Sequence, residues 1–166
     1  MSLFLGIDPG KRGAIAVLGS DGVIVDIIDM PTKEIFLGGR MRVLVSPSGV
    51  ARALRPLAPR CTLCTIEEVS GHRRDAAAMA FTFGRGAGII EGVTACLDIP
   101  CAFVAPKIWR GAAGFSKGDD KNDIRKSASV RWPEAAWRFA RVKDDGRADA
   151  AMLANHGLLV AKGVIK

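Results

Sequence analysis

Three acidic residues stand at the edges of apolar segments, where a charged side chain is costly. Asp8 follows the apolar run at 3–7, Glu67 follows the run at 61–66, and Asp149 opens the apolar part of the last predicted helix. A carboxylate in such a place is expensive unless it is paired or bound to a metal ion. Mg²⁺ prefers carboxylate oxygens, and nucleases that use two Mg²⁺ ions need such acids on rigid elements. The three acids are therefore candidate Mg²⁺ ligands for phosphodiester hydrolysis.

Short apolar runs and turn residues predict the elements that hold these acids. Three runs joined by Gly- and Asp-rich turns favour an antiparallel meander, and later strands alternate with helices. The predicted strands are 3–7, 13–18, 23–28, 61–66 and 101–105, and the predicted helices begin at Pro47, near Asp75, after Asp119 or Asp120, and near Asp144. This order predicts a single α/β domain over residues 1–166, with a mixed sheet of an antiparallel three-strand meander plus parallel strands, and helices on both faces.

Two segments are predicted to be irregular. Residues 31–46, with Gly38-Gly39 at the centre, are expected to form a loop or an irregular strand, and residues 111–118 are expected to form a flexible loop. The four cysteines are interpreted as buried, reduced thiols, because Cys61 and Cys64 form a CxxC inside an apolar run without a second ligand pair. A metal or redox role is the alternative.

Charge and hydropathy limit the possible classes of protein. The net charge is +7, and it is uneven: residues 1–100 carry +1 and residues 101–166 carry +6. A one-sided basic excess suits a phosphate backbone, although ordinary surface charge is the alternative. No run of about 18 apolar residues is present, and the start of the chain lacks the pattern of a secretory signal. We therefore expect a soluble, cytoplasmic protein with no membrane partner.

Five segments of the chain resemble the RuvC family of Holliday-junction resolvases. The similarity covers nearly the whole chain in the same order, and the three acidic motifs together are much more specific than any one of them. The segments are LGIDPG at 5–10, IEEV at 66–69, FGRGAGIIEGV at 83–93, VAPKIWRGAAGFSKGDDK at 104–121 and ADAAMLANH at 148–156. The resemblance implies an RNase H-like fold and an Mg²⁺-dependent endonuclease, with Mn²⁺ as a second supporting ion.

The resemblance also implies a role for each acid. Asp8 would bridge two metal ions, Glu67 would bind one of them and Asp149 the other. Glu68 is expected to point away, because neighbouring strand residues face opposite sides. The family usually carries a further acid or His three residues before the last Asp, where this chain has Gly146. We expect Asp145 to replace it as metal ligand or supporting acid, and Asp144 to cap the helix.

A second departure concerns the aromatic residue that opens the junction in the family. The matching position is Ser70, so strand separation here would depend on other residues. Several cations are candidates for DNA phosphate contacts, with a solvated basic face as the alternative. These are Arg73, Arg74, Lys107, Arg110, Lys117 and Lys121. Trp109 is expected to lie in the core, with base stacking as the alternative, and His156 is interpreted as structural.

The long helix contains a possible subunit interface. Gly84, Gly88 and Gly92 recur every four residues and so share one helical face. Each Gly costs about 1 kcal/mol against Ala in a helix, which suggests a close approach of another backbone. A four-way junction has approximate two-fold symmetry, so we expect a homodimer. Close packing within one subunit is the alternative.

Together the residues and the resemblance predict a structure-specific endonuclease that resolves four-way junctions. One alternative is a nuclease of the same fold acting on other branched DNA or on RNA. Another is a non-catalytic DNA-binding module. A phosphotransferase of the actin-like class also begins with an Asp-Gly turn after a strand, but it needs a second phosphate loop and a longer chain.

Overall fold

Seven strands and five α-helices are found among residues 2–69, 77–116 and 118–165, the part of the chain described by this computed structural model. The strands are β1 (Leu3–Ile7), β2 (Ala14–Gly19), β3 (Ile24–Asp29), β4 (Thr32–Leu37), β5 (Arg40–Val45), β6 (Cys61–Glu67) and β7 (Cys101–Val104). The helices are α1 (Pro47–Leu54), α2 (Ala77–Cys96), α3 (Pro106–Ala112), α4 (Lys121–Arg131) and α5 (Asp145–Ala161).

Five of the strands form one mixed sheet in the order β3-β2-β1-β6-β7. The first three strands are antiparallel neighbours, while β6 is parallel to β1 and β7 is parallel to β6. The predicted meander with added parallel strands is therefore confirmed. Because β1 and β6 are parallel neighbours, residues that follow their carboxyl ends meet at one edge of the sheet.

Helices cover both faces of this sheet, as predicted. On one face, α4 and α5 pack with Phe4, Ala16 and Leu18 of the sheet. On the other face, α1 and α2 pack on Leu5, Ile7 and other strand residues. Alternate residues of β1 thus point into two separate cores, as the two-residue period of a strand requires.

Helix α5 lies unusually close to β1. A Cβ atom at Gly6 would be 2.1 Å from the carbonyl oxygen of Ala150 and 2.2 Å from the amide nitrogen of Ala154. Only glycine allows this approach, and the Ala-rich sequence of α5 keeps the facing surface thin. The contact places the first turns of α5 beside the end of β1, so it determines where Asp149 lies relative to Asp8.

The prediction of an irregular segment at 31–46 is wrong. Strands β4 and β5 form a regular antiparallel hairpin, with six residue pairs from Thr32–Val45 to Leu37–Arg40. The two residues of its turn, Gly38 and Gly39, have φ of 59° and 78°. Type I′ hairpin turns require positive φ at both central residues, so the Gly-Gly pair itself specifies the hairpin.

Two other local predictions need correction. The expected flexible loop at 111–118 begins inside α3, which Pro106 starts at its first turn. A 3-10 helix at Pro133–Phe139 was not predicted.

The caps at Ser46 and Asp120 are confirmed: Ser46 accepts from the amide of Gly49, and Asp120 forms a capping box with Asp123. No helix of the described residues is long and apolar enough to cross a membrane.

Candidate active site

The four candidate acids line one open cleft of about 1130 Å³. Asp8 follows β1 directly and Glu67 is the last residue of β6, so the parallel pairing of these strands brings the two together. Asp145 and Asp149 come from the first two turns of α5. Three elements that are distant in sequence therefore converge on this edge of the sheet, as the sequence motifs predicted.

Burial raises the pKa of both Asp8 and Asp149. Burial, helped by the charges of Glu67 and Asp145, raises the pKa of Asp8 to about 6, although the amide of Gly10 donates to its Oδ1 at 3.1 Å. Burial and the charges of Asp8 and Glu67 raise the pKa of Asp149 to about 7. The side chain of Asp149 is 5% exposed, and its Oδ1 is buried without a hydrogen-bond partner. The charges of Arg110 and Lys121 oppose the rise in the pKa of Asp149 but do not outweigh it.

Trp109 orients Glu67. Its indole Nε1 donates to Oε1 of Glu67 at 3.0 Å, across 42 residues of sequence. Trp109 is fully buried on α3, so the expectation of a core residue is confirmed and stacking on a DNA base is excluded in this arrangement. Sequence analysis did not predict the contact with Glu67. The nearby sequence gave little indication of this contact beyond the Trp itself, two residues after Lys107. The helix that carries Trp109, α3, was not predicted either.

Asp145 lies in the cleft and pairs with Lys121. Nζ of Lys121 is 2.5 Å from Oδ2 of Asp145. Burial acts to raise the pKa of Asp145, but the hydrogen bond and charge of Lys121 outweigh it, so the net pKa is lowered. The charge of Asp145 in turn raises the pKa of Asp8. Asp144 lines the cleft as well, but its charge is not among the causes of the pKa shift at Asp8, so the electrostatics support Asp145 as the fourth acid of the cluster.

Asp144 stands at the N-cap position of α5, but the prediction that its side chain caps the helix is wrong. The side chain makes no capping hydrogen bond to α5. It accepts instead from the backbone amide of Arg141 at 2.9 Å and from the guanidinium of the same residue. The side chain is 2% exposed. A 3-10 turn precedes α5, and the side chain of Asp144 closes this turn by accepting hydrogen bonds from Arg141. The carboxylate is therefore not used to cap α5.

Gly146 explains why the fourth acid is displaced by one residue. A Cβ atom at Gly146 would be 2.4 Å from the carbonyl oxygen of Arg12 and 3.1 Å from Oδ2 of Asp8. The first turn of α5 therefore lies against the β1–β2 turn with no room for a side chain at this position. The acid that reaches the cleft must come from another position of the turn, and Asp145 supplies it.

The donor set fits divalent cations, although the cluster is not closed around one. Within residues 2–69, 77–116 and 118–165, no three His, Cys, Asp or Glu side chains are already grouped as a metal site. Two of the four carboxylates are engaged elsewhere, Glu67 with Trp109 and Asp145 with Lys121. The unpartnered Oδ1 of Asp149 and the exclusive use of carboxylate oxygens both match a hard cation such as Mg²⁺.

Basic side chains line the same cleft as these acids. Arg110 and Lys121, both predicted to contact DNA, line it. Sequence analysis missed four other lining residues, namely Lys11, Arg12, Arg141 and Lys143. Lys11 and Arg12 directly follow the Asp8-Pro9-Gly10 turn, which was a usable signal. A cleft lined by both acids and cations has the charge pattern expected of one that binds a phosphate backbone together with divalent cations.

The other predicted DNA contacts are not tested by this geometry. Lys107 is exposed on α3 and does not line the cleft. Arg73, Arg74 and Lys117 lie outside the described residues, as does Ser70. These residues stay predictions.

Residues near the motifs behave mostly as expected. Glu68 lines a separate groove with His156, on the other side of the sheet edge from Glu67, so the prediction that it points away is confirmed. His156 is 6% exposed, and burial lowers its pKa.

All four cysteines are free thiols. The expectation of burial is right for Cys64 and wrong for Cys96, which is exposed at the end of α2.

Comparison with known proteins gives one clear result, at the level of structure. No protein-family model and no curated protein sequence matches the chain. Thermus thermophilus RuvC in complex with a Holliday-junction substrate superimposes with a TM-score of 0.63 at 16% identity, over 99% of this chain and 98% of that chain. A second structure of Thermus thermophilus RuvC gives a TM-score of 0.58 at 15% identity, over 97% and 96% of the two chains. The chain therefore has a RuvC-like fold.

Proposed function

We propose that this protein is an Mg²⁺-dependent endonuclease that resolves four-way DNA junctions. The observation that carries the proposal is the cluster of Asp8, Glu67, Asp145 and Asp149 in one cleft, where burial raises the pKa of Asp8 and of Asp149 and several cations also line the cleft. The RuvC-like fold supports the substrate class, because one of the similar structures holds a Holliday-junction substrate.

Each residue of the cleft has its own role in this proposal. Asp8, Glu67 and Asp149 would hold divalent cations, with Asp145 as a fourth carboxylate. Divalent cations in that position stabilise the attacking water and the leaving oxygen of a phosphodiester. The indole of Trp109 keeps one oxygen of Glu67 fixed. Lys121 must release Asp145 before that carboxylate can turn to a cation, and it is then free to contact a phosphate.

The proposed partner is branched DNA, bound by a homodimer. Two opposed cuts in a four-way junction need two active sites, which a two-fold dimer supplies. The open glycine face of α2 supports the dimer, because Cβ atoms at Gly84, Gly88 and Gly92 would meet no atom of the described residues within 4 Å. The alternative of close packing inside one subunit is thus wrong for these three positions.

The experiment that tests the function compares labelled four-way, three-way, flap and linear duplex DNA, and an RNA hairpin, in Mg²⁺, Mn²⁺ and EDTA. We expect paired cuts in the four-way junction in Mg²⁺ or Mn²⁺ and none in EDTA. Preferred cleavage of another substrate would keep the nuclease and replace the junction assignment. Binding without cleavage of any substrate would mean a DNA-binding module.

Asp8→Asn provides the control for this experiment. It removes the central charge of the cluster with little change in size, so cleavage should fall at least about 1000-fold, as expected for a residue needed in the transition state. Junction binding should survive, because phosphate contacts and not the acids provide affinity. An Asp8→Asn enzyme that cuts at the wild-type rate would contradict the assignment of the site.

A further inference from the structure

A second cleft, of about 710 Å³, lies directly beside the candidate active site. It is bounded by the β4–β5 hairpin, the turn after β1 and the first turns of α2. Lys11 and Phe83 line both clefts, so the two are continuous. A strand of nucleic acid whose phosphate lies at Asp8 therefore has this cleft within reach of its neighbouring nucleotides.

The walls of this second cleft are apolar. Leu44 and Val45 come from the hairpin, and Met79 and Phe83 come from α2. Phe83 is 40% exposed, and Met79 is 69% exposed. The ring of Phe83 lies against the turn that carries Asp8, since a Cβ atom at Gly10 would be 3.6 Å from its Cε2. A half-exposed ring held against a rigid turn is a surface on which a nucleobase can stack.

The charges of the second cleft match a phosphate. Lys11 and Arg42 line it, and no acid is among the described residues that do so. Nε of Arg42 is buried and has no hydrogen-bond partner there. A guanidinium with a free, desolvated donor gains strongly from a phosphate oxygen, which can accept from two of its N–H groups.

We propose that this cleft binds an unstacked nucleotide of the DNA strand, next to the phosphodiester held at the acids. The base lies against Phe83 and Met79, and its phosphate contacts Lys11 and Arg42. The inference rests on the proposed nuclease function and extends it. Unstacking a base costs least where the duplex is already interrupted, so such a site favours DNA with a branch point over linear duplex.

Photo-crosslinking tests where the base lies. Four-way junctions carry 5-iodouracil one or two nucleotides from the branch point, or in the middle of an arm, and are irradiated with the protein in EDTA. We expect crosslinks from the branch-point positions to map to the peptide that contains Met79 and Phe83, and the mid-arm position to give none there. Crosslinks that map only outside this cleft would overturn the proposal.

Variants of Phe83 test the energetics. Phe83→Ala should weaken binding of the four-way junction by about 5-fold to about 100-fold, the range for loss of one base stack, while Phe83→Tyr keeps near-normal binding. Phe103→Ala is the matched control, since Phe103 is 49% exposed on β7 and lines neither cleft. Equal effects of the Phe83→Ala and Phe103→Ala substitutions, in variants with wild-type thermal unfolding, would also overturn the proposal.

The phosphate contact has its own pair of variants. Arg42→Gln should weaken junction binding and lower the slope of log affinity against log salt by about 1, whereas Arg52→Gln on α1 should do neither. Wild-type cleavage in Mg²⁺ is measured in parallel. Cleavage without the crosslink would refute the nucleotide site alone, whereas the crosslink without any cleavage would refute the proposed nuclease function and leave a base-binding site.

Discussion

The burial of two carboxylates, Asp8 and Asp149, is the main electrostatic cost of the site. Each carboxylate is removed from water and faces further negative charge, and Oδ1 of Asp149 has no hydrogen bond to compensate. In the absence of a cation, this arrangement favours the protonated acids. Under the proposed function a bound cation would neutralise these acids, and the site would lower the stability of the protein when no ion is bound.

The first prediction follows from the sign of these shifts. An acid whose folded pKa is raised keeps its proton in the native state over a range where the unfolded chain has lost it. Its contribution therefore lowers the free energy of unfolding as pH rises from about 4 to about 7. In EDTA at pH 8, Asp149→Asn should unfold with a free energy roughly 1–3 kcal/mol higher than wild type. Urea denaturation at pH 4.5 and at pH 8 measures the difference.

The comparison with wild type isolates this effect. Burial lowers the pKa of His156, which acts in the opposite direction below about pH 6.5 but is common to both proteins. The lowered pKa values of Asp29 and Asp144 act only below about pH 4. Glu34→Gln, at an exposed carboxylate on the hairpin, should show no gain at pH 8. An Asp149→Asn protein no more stable than wild type at pH 8 would contradict the argument.

The second prediction concerns Trp109 as a positioning residue. Trp109→Phe removes the N–H that holds Glu67, so we expect about 10-fold weaker Mg²⁺ binding, a typical cost of losing a hydrogen bond behind a metal ligand. Isothermal titration with Mg²⁺, or the electron paramagnetic resonance of bound Mn²⁺, measures this without any reference to activity. Both methods report occupancy of the acids directly.

Trp132→Phe is the matched control for Trp109→Phe. Trp132 is 3% exposed, and its Nε1 also donates a buried hydrogen bond, to the carbonyl oxygen of Gly22 at 2.9 Å. Both variants should lose roughly 1–3 kcal/mol of stability. Only Trp109→Phe should change the affinity for the metal. If the two variants bind Mg²⁺ equally well, Trp109 has a purely structural role.

At the scale of elements, the position of α5 decides the geometry of the acids. The helix is held against β1 at Gly6 and against the β1–β2 turn at Gly146, with no space for a Cβ atom at either contact. These contacts place Asp149 beside Asp8 and direct Asp145 into the cleft. The adjacent Asp144 is instead held by Arg141, so two consecutive acids have different partners.

The third prediction separates the roles of these two acids. Asp145→Asn should lower the rate of junction cleavage and raise the Mg²⁺ concentration needed for it. Its stability should change little, because the ion-pair partner Lys121 is 64% exposed. Asp144→Ala should lower the midpoint of thermal unfolding, since it removes the buried carboxylate that closes the 3-10 turn before α5, and should cut DNA at a near-normal rate. Cleavage assays across Mg²⁺ concentrations and thermal unfolding of both variants provide the measurements.

The reverse pattern would exchange the two roles, and full activity of both would mean that three carboxylates suffice.

At the scale of the whole molecule, the outer face of α2 is the main candidate for a subunit contact. Gly84, Gly88 and Gly92 are exposed along it, and a groove between α1 and α2 borders two of them. Glycine lowers the stability of a helix, and no close contact with the described residues compensates for that cost at these three positions. Approach of a second copy would provide that packing.

The fourth prediction tests this face. Because a Cβ atom at Gly88 would meet no atom of the described residues within 4 Å, Gly88→Leu should fold normally and be no less stable than wild type as a monomer. It should nevertheless raise the dimer dissociation constant by at least about 10-fold, which corresponds to about 1.4 kcal/mol. Sedimentation equilibrium of wild type, Gly88→Leu and the milder Gly88→Ala measures the constant. A wild-type protein that stays monomeric at micromolar concentration, even with junction DNA bound, would refute the dimer.

Local sequence patterns determined the order of the main strands and helices and the three principal acids. Strand runs, the Ser46 and Asp120 caps and the Asp8-Pro9-Gly10 turn all act within a few residues, so they can be identified without any knowledge of the fold. The Gly38-Gly39 turn carried an equally local signal, and the hairpin it specifies could have been predicted from it. The short α3 had a weaker signal, a single Pro at its first turn.

Contacts between residues far apart in the chain could be decided only by the tertiary structure. The pairing of Trp109 with Glu67 spans 42 residues, and that of Lys121 with Asp145 spans 24. Arg141 is only three residues from Asp144, yet its hold on that acid, which replaced the predicted cap, depends on the 3-10 turn that precedes α5. The absence of a fourth acid at position 146 follows from the lack of space there, because a residue's own sequence neighbourhood does not say which distant backbone lies against it.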